Sequence, residues 1–244
     1  MRCPATTTHS CAYAARFRRA ASPAARYQRK DSFHQRAKSE GFRSRAVYKL
    51  AEVQERHRLL RRGQKVFDLG CWPGGWLQHA AAQVGPGGRV VGIDRAAIDP
   101  PLGLSNVTVL EGDLAEAGTA ERLREALGGR ADVVLSDAAP KLTGLRDRDR
   151  AAEEDLLCVI EALLPALLRP GGDLLLKILE GPEAQEVDRR IRRVFRSAKA
   201  VKLKATRKGS SERYLLARGF AGAGSGTRSG AVQSNRAKRG DSTA

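Results

Sequence analysis

Downstream of Gly63, short apolar runs alternate with longer stretches whose apolar residues recur every three or four positions. The runs at residues 65–68, 89–94, 107–111, 132–136 and 173–178 predict strands, and the stretches at 76–84, 119–127, 153–168 and 184–195 predict helices. Strand and helix in alternation imply a parallel sheet covered on both faces, an α/β architecture. The last two runs break this rhythm. Residues 199–205 and 213–217 are separated only by 206–212, too short for a crossover helix, so they predict an antiparallel hairpin. Upstream, Ala46, Val47, Leu50 and Val53 recur at helical spacing among basic residues and predict a helix over 37–58. The expectation is a seven-stranded, mostly parallel sheet with one antiparallel strand.

The turn after the first strand reads Asp68-Leu69-Gly70-Cys71-Trp72-Pro73-Gly74-Gly75-Trp76. Glycine lets a backbone approach a ligand closely, and ligands of open α/β sheets sit at the carboxyl ends of the strands. A plain tight turn explains this loop about as well. Acids at the following strand ends tip the balance. Asp94 closes the second strand, at the distance from the loop where an acid commonly takes a ribose diol. Asp113 follows the third strand, in reach of an adenine, and Asp137 follows the fourth. Any one of them reads equally well as a helix cap or loop acid. Three acids ending three successive strands favour a nucleoside-bearing cofactor.

Lys177 stands inside Leu174-Leu175-Leu176-Lys177-Ile178-Leu179, an otherwise apolar strand. A lysine buried there is costly unless it is paired or gives up its proton. In the second case it serves as a general base. The alternative is a strand-end lysine that snorkels to water. Asp137 and Glu212 are its candidate partners.

With these residues in hand, the sequence resembles the ribosomal RNA large-subunit 2′-O-methyltransferases of the FtsJ type. The segments that carry the resemblance are Ser44-Arg45-Ala46-Val47-Tyr48-Lys49-Leu50, the loop from Asp68 to Trp76, Ser136-Asp137-Ala138-Ala139-Pro140, Lys177 in its strand, and Ser211-Glu212-Arg213-Tyr214. They occur in order over residues 26–220. The resemblance implies a Rossmann-like, class I S-adenosylmethionine-dependent methyltransferase domain. It implies a catalytic tetrad of Lys49, Asp137, Lys177 and Glu212, and cofactor contacts at Gly74, Trp76, Asp94, Asp113 and Asp137. It also implies ribose 2′-O-methylation of a uridine in 23S ribosomal RNA, on the large ribosomal subunit. Cys71-Trp72 departs from the pattern, replacing the small residues usual in this loop. Two other readings remain open: a transfer-RNA 2′-O-methyltransferase of the same fold, and a non-catalytic RNA-binding protein of ribosome assembly. The intact tetrad argues against the second.

Charge adds a partner. The 244 residues carry a formal net charge of +17, and residues 1–60 alone hold 14 basic and 4 acidic side chains. Such an excess favours a polyanion, because cationic side chains release counterions from phosphates. Basic residues in 26–58, with Lys199, Lys202, Lys204, Arg207 and Lys208, are the expected phosphate contacts. Residues 1–25 read as a basic disordered extension and 221–244 as a flexible basic tail around the methyltransferase domain at 26–220. The helical part at 26–60 is the expected RNA-contacting region. Cys3, Cys11, Cys71 and Cys158 form no CxxC pair, and the four histidines show no ligand spacing, so no metal site is expected. No apolar run reaches membrane-spanning length. The expected state is a monomer in the cytoplasm. A mitochondrial location is the alternative if the acid-free first 30 residues are a transit peptide.

Overall fold

The computed structural model describes residues 32–140, 143–179, 181–206 and 212–222. Residues 1–25, all but the start of the 221–244 tail, and the expected phosphate contacts Arg207 and Lys208 lie outside the described residues. The elements in chain order are α1 (Ser32–Ser39), α2 (Val47–His57), β1 (Lys65–Leu69), α3 (Gly75–Val84), β2 (Arg89–Asp94), β3 (Val107–Glu111), α4 (Thr119–Leu127), β4 (Ala131–Ser136), α5 (Arg146–Leu167), β5 (Leu168–Leu179), α6 (Pro182–Arg193), β6 (Phe195–Val201) and β7 (Glu212–Phe220).

The seven strands form one sheet in the order β3-β2-β1-β4-β5-β7-β6. Every neighbouring pair is parallel except those made by β7, which runs antiparallel to both β5 and β6. This is the expected sheet with one reversed strand. Alternation along the strands sends successive residues to opposite faces. Phe67, Leu69, Val91, Ile93 and Leu174 pack with Leu123 of α4, Leu157, Ile160 and Leu164 of α5, and Val187 and Ile191 of α6. Val66, Val90, Val133, Leu135, Leu175 and Leu216 pack on the other face with Leu50 and Val53 of α2 and Trp76, Leu77 and Ala80 of α3. The functional residues emerge on this second face, where α2 crosses the sheet.

Three boundaries differ from the sequence reading. The helix expected over 37–58 is two helices, split at Glu40–Ala46. Gly41 takes φ +76°, a left-handed conformation that ends the first helix. Phe33 and Phe42 then fold onto Tyr48 as a small apolar cluster. The strand expected at 173–178 is β5, which begins at Leu168 and carries an irregularity between Leu168, paired with Ala131, and Asp173, paired with Val133. The strand expected at 199–205 is β6, which begins earlier and ends at Val201. Past that point the backbone finds another partner. The amides of Lys204 and Ala205 donate to the Glu52 carboxylate on α2 at 3.1 and 3.2 Å, and Arg45 donates to the Ala205 carbonyl at 2.7 Å. These bonds draw the segment off the sheet edge and against α2.

Glu52 therefore ties α2 to the end of the β6 segment. Glu52→Ala should destabilise the fold by about 1–3 kcal/mol, the scale of hydrogen bonds to a charged group. Urea denaturation of the variant beside the parent chain checks it.

Candidate active site

Four of the expected residues come together where β4, β5, β7 and the start of α2 meet. Leu176 pairs with Ser136, so Lys177 lies beside Asp137, the residue after β4. Lys177 in turn pairs with Tyr214 across the antiparallel β5–β7 ladder. Glu212 lies two residues before Tyr214 and so shares its face. Lys49, the third residue of α2, reaches down onto the group from above the sheet. The register alone thus collects side chains that lie far apart in the chain.

The cluster is tightly connected. Lys49 Nζ is 2.6 Å from Glu212 Oε1 and 3.4 Å from both Asp137 oxygens. Lys177 Nζ is 3.3 Å from Asp137 Oδ1 and donates to the Asp137 carbonyl at 2.5 Å. The Tyr214 hydroxyl stands 2.6 Å from Asp137 Oδ1 and 2.8 Å from Glu212 Oε1. It has one proton to offer the two acceptors. Burial of the phenol, reinforced by the two carboxylates, pushes its pKa far above the usual tyrosine value, so it stays a donor. Lys49 and Lys177 are both buried, at 8% and 7% exposure. The snorkelling alternative for Lys177 is therefore replaced by a buried, paired lysine. Trp76 braces the group from α3: its ring lies 6.1 Å from that of Tyr214, and its Nε1 donates to the Ala46 carbonyl at 2.7 Å.

Beside the cluster opens a cavity of about 390 Å³, lined by Gly70, Asp94, Arg95, Asp113, Ala138 and Pro140 among others. Gly70 has φ +80°, and a Cβ there would meet the Ala138 Cβ at 2.5 Å. The loop backbone thus sits directly against the segment that carries Asp137. Asp94 accepts the amides of Trp72 and Ala96, each at 3.0 Å. Asp113 accepts the Ala115 amide at 3.0 Å and pairs with Arg95 at 2.7 Å. The Ala115 amide, more than the Arg95 guanidinium, holds its carboxyl below the usual range. A cradle of bare backbone with two carboxylates on its rim suits a nucleoside with free hydroxyls. Gly74 and Trp76 lie outside this lining. Gly74 caps α3, and Trp76 is buried on the tetrad side.

One functional-looking residue received no role from the sequence. Asp68 of β1 is 1% exposed, and neither carboxylate oxygen has a hydrogen-bond partner among the described residues. Burial, with Asp137 and Asp94 adding like charge, raises its pKa well above the ordinary carboxylate value. The signal was the same as for Lys177: one ionisable residue inside an apolar strand, Val66-Phe67-Asp68-Leu69. The basic segment before α2 differs from expectation too. Arg43 donates to the carbonyls of Asp99, Pro100 and Pro101, Arg45 donates to Ala205, and Lys49 belongs to the cluster. These three are spent on internal contacts. Among the described residues the exposed lysines are Lys38, Lys199, Lys202 and Lys204.

The family model of FtsJ-like methyltransferases matches residues 42–220. The chain is 42% identical over 193 residues to a ribosomal RNA large subunit methyltransferase E of Acidithiobacillus ferrooxidans, covering 79% of this chain and 87% of the relative. It is 41% identical over 187 residues to the protein of the same name from Methanothrix thermoacetophila, covering 77% and 71%. Among solved structures, one described as a ribosomal RNA methyltransferase of Plasmodium falciparum superposes with a TM-score of 0.65 at 26% identity, covering 75% of this chain and all of that one.

Asp68 supplies a pH-dependent test of the site's electrostatics. Its folded pKa lies above its unfolded value, so the folded state keeps a proton that the unfolded chain releases above about pH 4. Stability is therefore lost as pH rises from there through the folded value. Asp68→Asn removes that cost. It should raise the thermal midpoint at pH 7, with the gain fading below about pH 4, where the unfolded aspartate also holds its proton. Calorimetric melting across that range checks both signs.

Proposed function

Because the chain belongs to the FtsJ-like methyltransferase family, we propose that it transfers a methyl group from S-adenosylmethionine to a ribose 2′-hydroxyl of ribosomal RNA, at a uridine of the 23S RNA in the large subunit. The observation that carries this reading is the buried Lys49–Asp137–Lys177–Glu212 cluster sharing a wall with the cavity, through Ala138 and Pro140. The names of the curated relatives favour ribosomal over transfer RNA. Asp94 would hold the cofactor ribose, Asp113 the adenine side, and the Gly70 backbone the middle of the molecule. Gly74 and Trp76 would keep that loop in shape. When bound, S-adenosylmethionine supplies a methyl group on a positively charged sulfur, already activated for displacement.

The protein's part is alignment and proton removal. A ribose hydroxyl is a weak nucleophile and needs a base or an orienting hydrogen bond as it attacks. Lys177 Nζ is that group, as base or as hydroxyl orienter: it holds the hydroxyl for attack, and where it stands as the free amine it takes the hydroxyl proton as the new oxygen–carbon bond forms. Asp137 fixes the position of Lys177 through both its carboxylate and its carbonyl. Lys49 and Glu212 complete the charge balance of the cluster. Exposed Lys199, Lys202 and Lys204 on β6 and the segment after it offer phosphate contacts. Among the described residues no helix is long and apolar enough to cross a membrane. The chain works as a monomer in the cytoplasm, where its ribosomal substrate is found.

Lys177→Ala should cut single-turnover methylation of large ribosomal subunits by roughly a hundredfold to ten-thousandfold, the range of a general base, while leaving cofactor binding intact. Lys177→Arg should not restore it, since arginine does not readily yield its proton. Near-normal turnover in either variant moves the chemistry elsewhere. Separately, Asp94→Ala should weaken S-adenosylmethionine binding by about 1–3 kcal/mol, read by titration calorimetry on a variant whose melting is unchanged.

A further inference from the structure

The chain has two tryptophans, four residues apart, with opposite fates. Trp76 is 3% exposed, hydrogen-bonded and packed on Tyr214. Trp72 is 58% exposed. No aromatic or cationic partner of its ring is found among the described residues. It is also the one aromatic among the four large apolar side chains left in water there, with Leu104, Leu145 and Val194.

Its backbone is not free. The Trp72 amide donates to Asp94 Oδ2 at 3.0 Å, which anchors the loop at the carboxyl end of the sheet. That bond needs only a backbone N–H, so any small residue would make it. The indole's bulk therefore serves something outside the loop. Trp72 follows β1 at the carboxyl end of the sheet, and the Asp94 that holds its amide lines the cavity. We infer that Trp72 is a stacking platform for an unpaired base of the substrate RNA next to the target ribose.

The inference rests on the proposed function and deepens it. Sequence-tolerant binding of single-stranded RNA couples cationic contacts to phosphates with aromatic faces for the bases. The net charge of +17 supplies the first, and Trp72 is the exposed aromatic face, tied through its amide to Asp94 on the cavity wall. A base held flat against a fixed ring also fixes its ribose, which the chemistry requires, since a misplaced hydroxyl forfeits the gain from alignment.

Three variants test this: Trp72→Ala, Trp72→Leu and Trp72→Phe, each assayed with large ribosomal subunits and, separately, by calorimetry with S-adenosylmethionine alone. The alanine variant should raise KM for the subunit by roughly ten- to a hundredfold, the scale of a lost base stack, with cofactor affinity unchanged. Phenylalanine should recover most of that loss. Leucine should not, because it keeps apolar bulk without a π face. Leucine performing like tryptophan overturns the stacking role, as does an unchanged KM in the alanine variant; the methyltransferase reading survives both. A loss confined to cofactor affinity assigns the indole to the cofactor and equally overturns the proposal. Failure of the parent chain to methylate the subunits sinks the functional reading itself.

Discussion

Two lysines, two carboxylates and a phenol occupy one buried space, and none of them is tolerable there without the others. An unpaired charge in that position costs several kcal/mol. The pairing of Asp137 with Lys49, Lys177 and Tyr214 removes that cost and fixes each side chain at the same time. Much of the architecture follows from keeping this group assembled. The parallel register of β4 against β5 sets Lys177 beside Asp137. The reversal of β7 brings Tyr214 and Glu212 to the same face. The strand that breaks the βα rhythm thus closes the site.

The second constraint is the close approach of the Gly70 loop to the segment after β4. With no Cβ at Gly70, the loop rests on Ala138, one residue from Asp137. Cavity and ion cluster therefore share a wall. A methyl donor on one side and an acceptor hydroxyl on the other would meet across it. Asp68, buried beneath this loop with no hydrogen-bond partner among the described residues, shows that the arrangement is not optimised for stability alone.

The sheet was legible because its strands are buried on both faces and read as continuous apolar runs. Lys177 was legible because an ionisable residue in such a run stands out, while its grouping with Lys49, Asp137 and Glu212 as a tetrad came from the family resemblance. Where the sequence reading failed, a tertiary partner outside the local pattern had decided the outcome. The 37–58 helix splits because Phe33 and Phe42 fold back on Tyr48. The last part of the expected strand at 199–205 goes instead to Glu52. Arg43 looked like a phosphate contact, yet it holds the carbonyls of the loop after β2, a use that no spacing rule reveals. Tyr214 was visible in its motif, but its role as a shared donor depends on a register that only the folded ladder defines.

The chemistry proposed at Lys177 is activation of a ribose hydroxyl as its oxygen takes the methyl group of S-adenosylmethionine. The most direct measurement is nucleoside mass spectrometry of large-subunit RNA after incubation with the purified chain and isotopically labelled S-adenosylmethionine. If the claim holds, the label appears as 2′-O-methyluridine at one site in the RNA. Label carried on a base, on transfer RNA alone, or nowhere contradicts it.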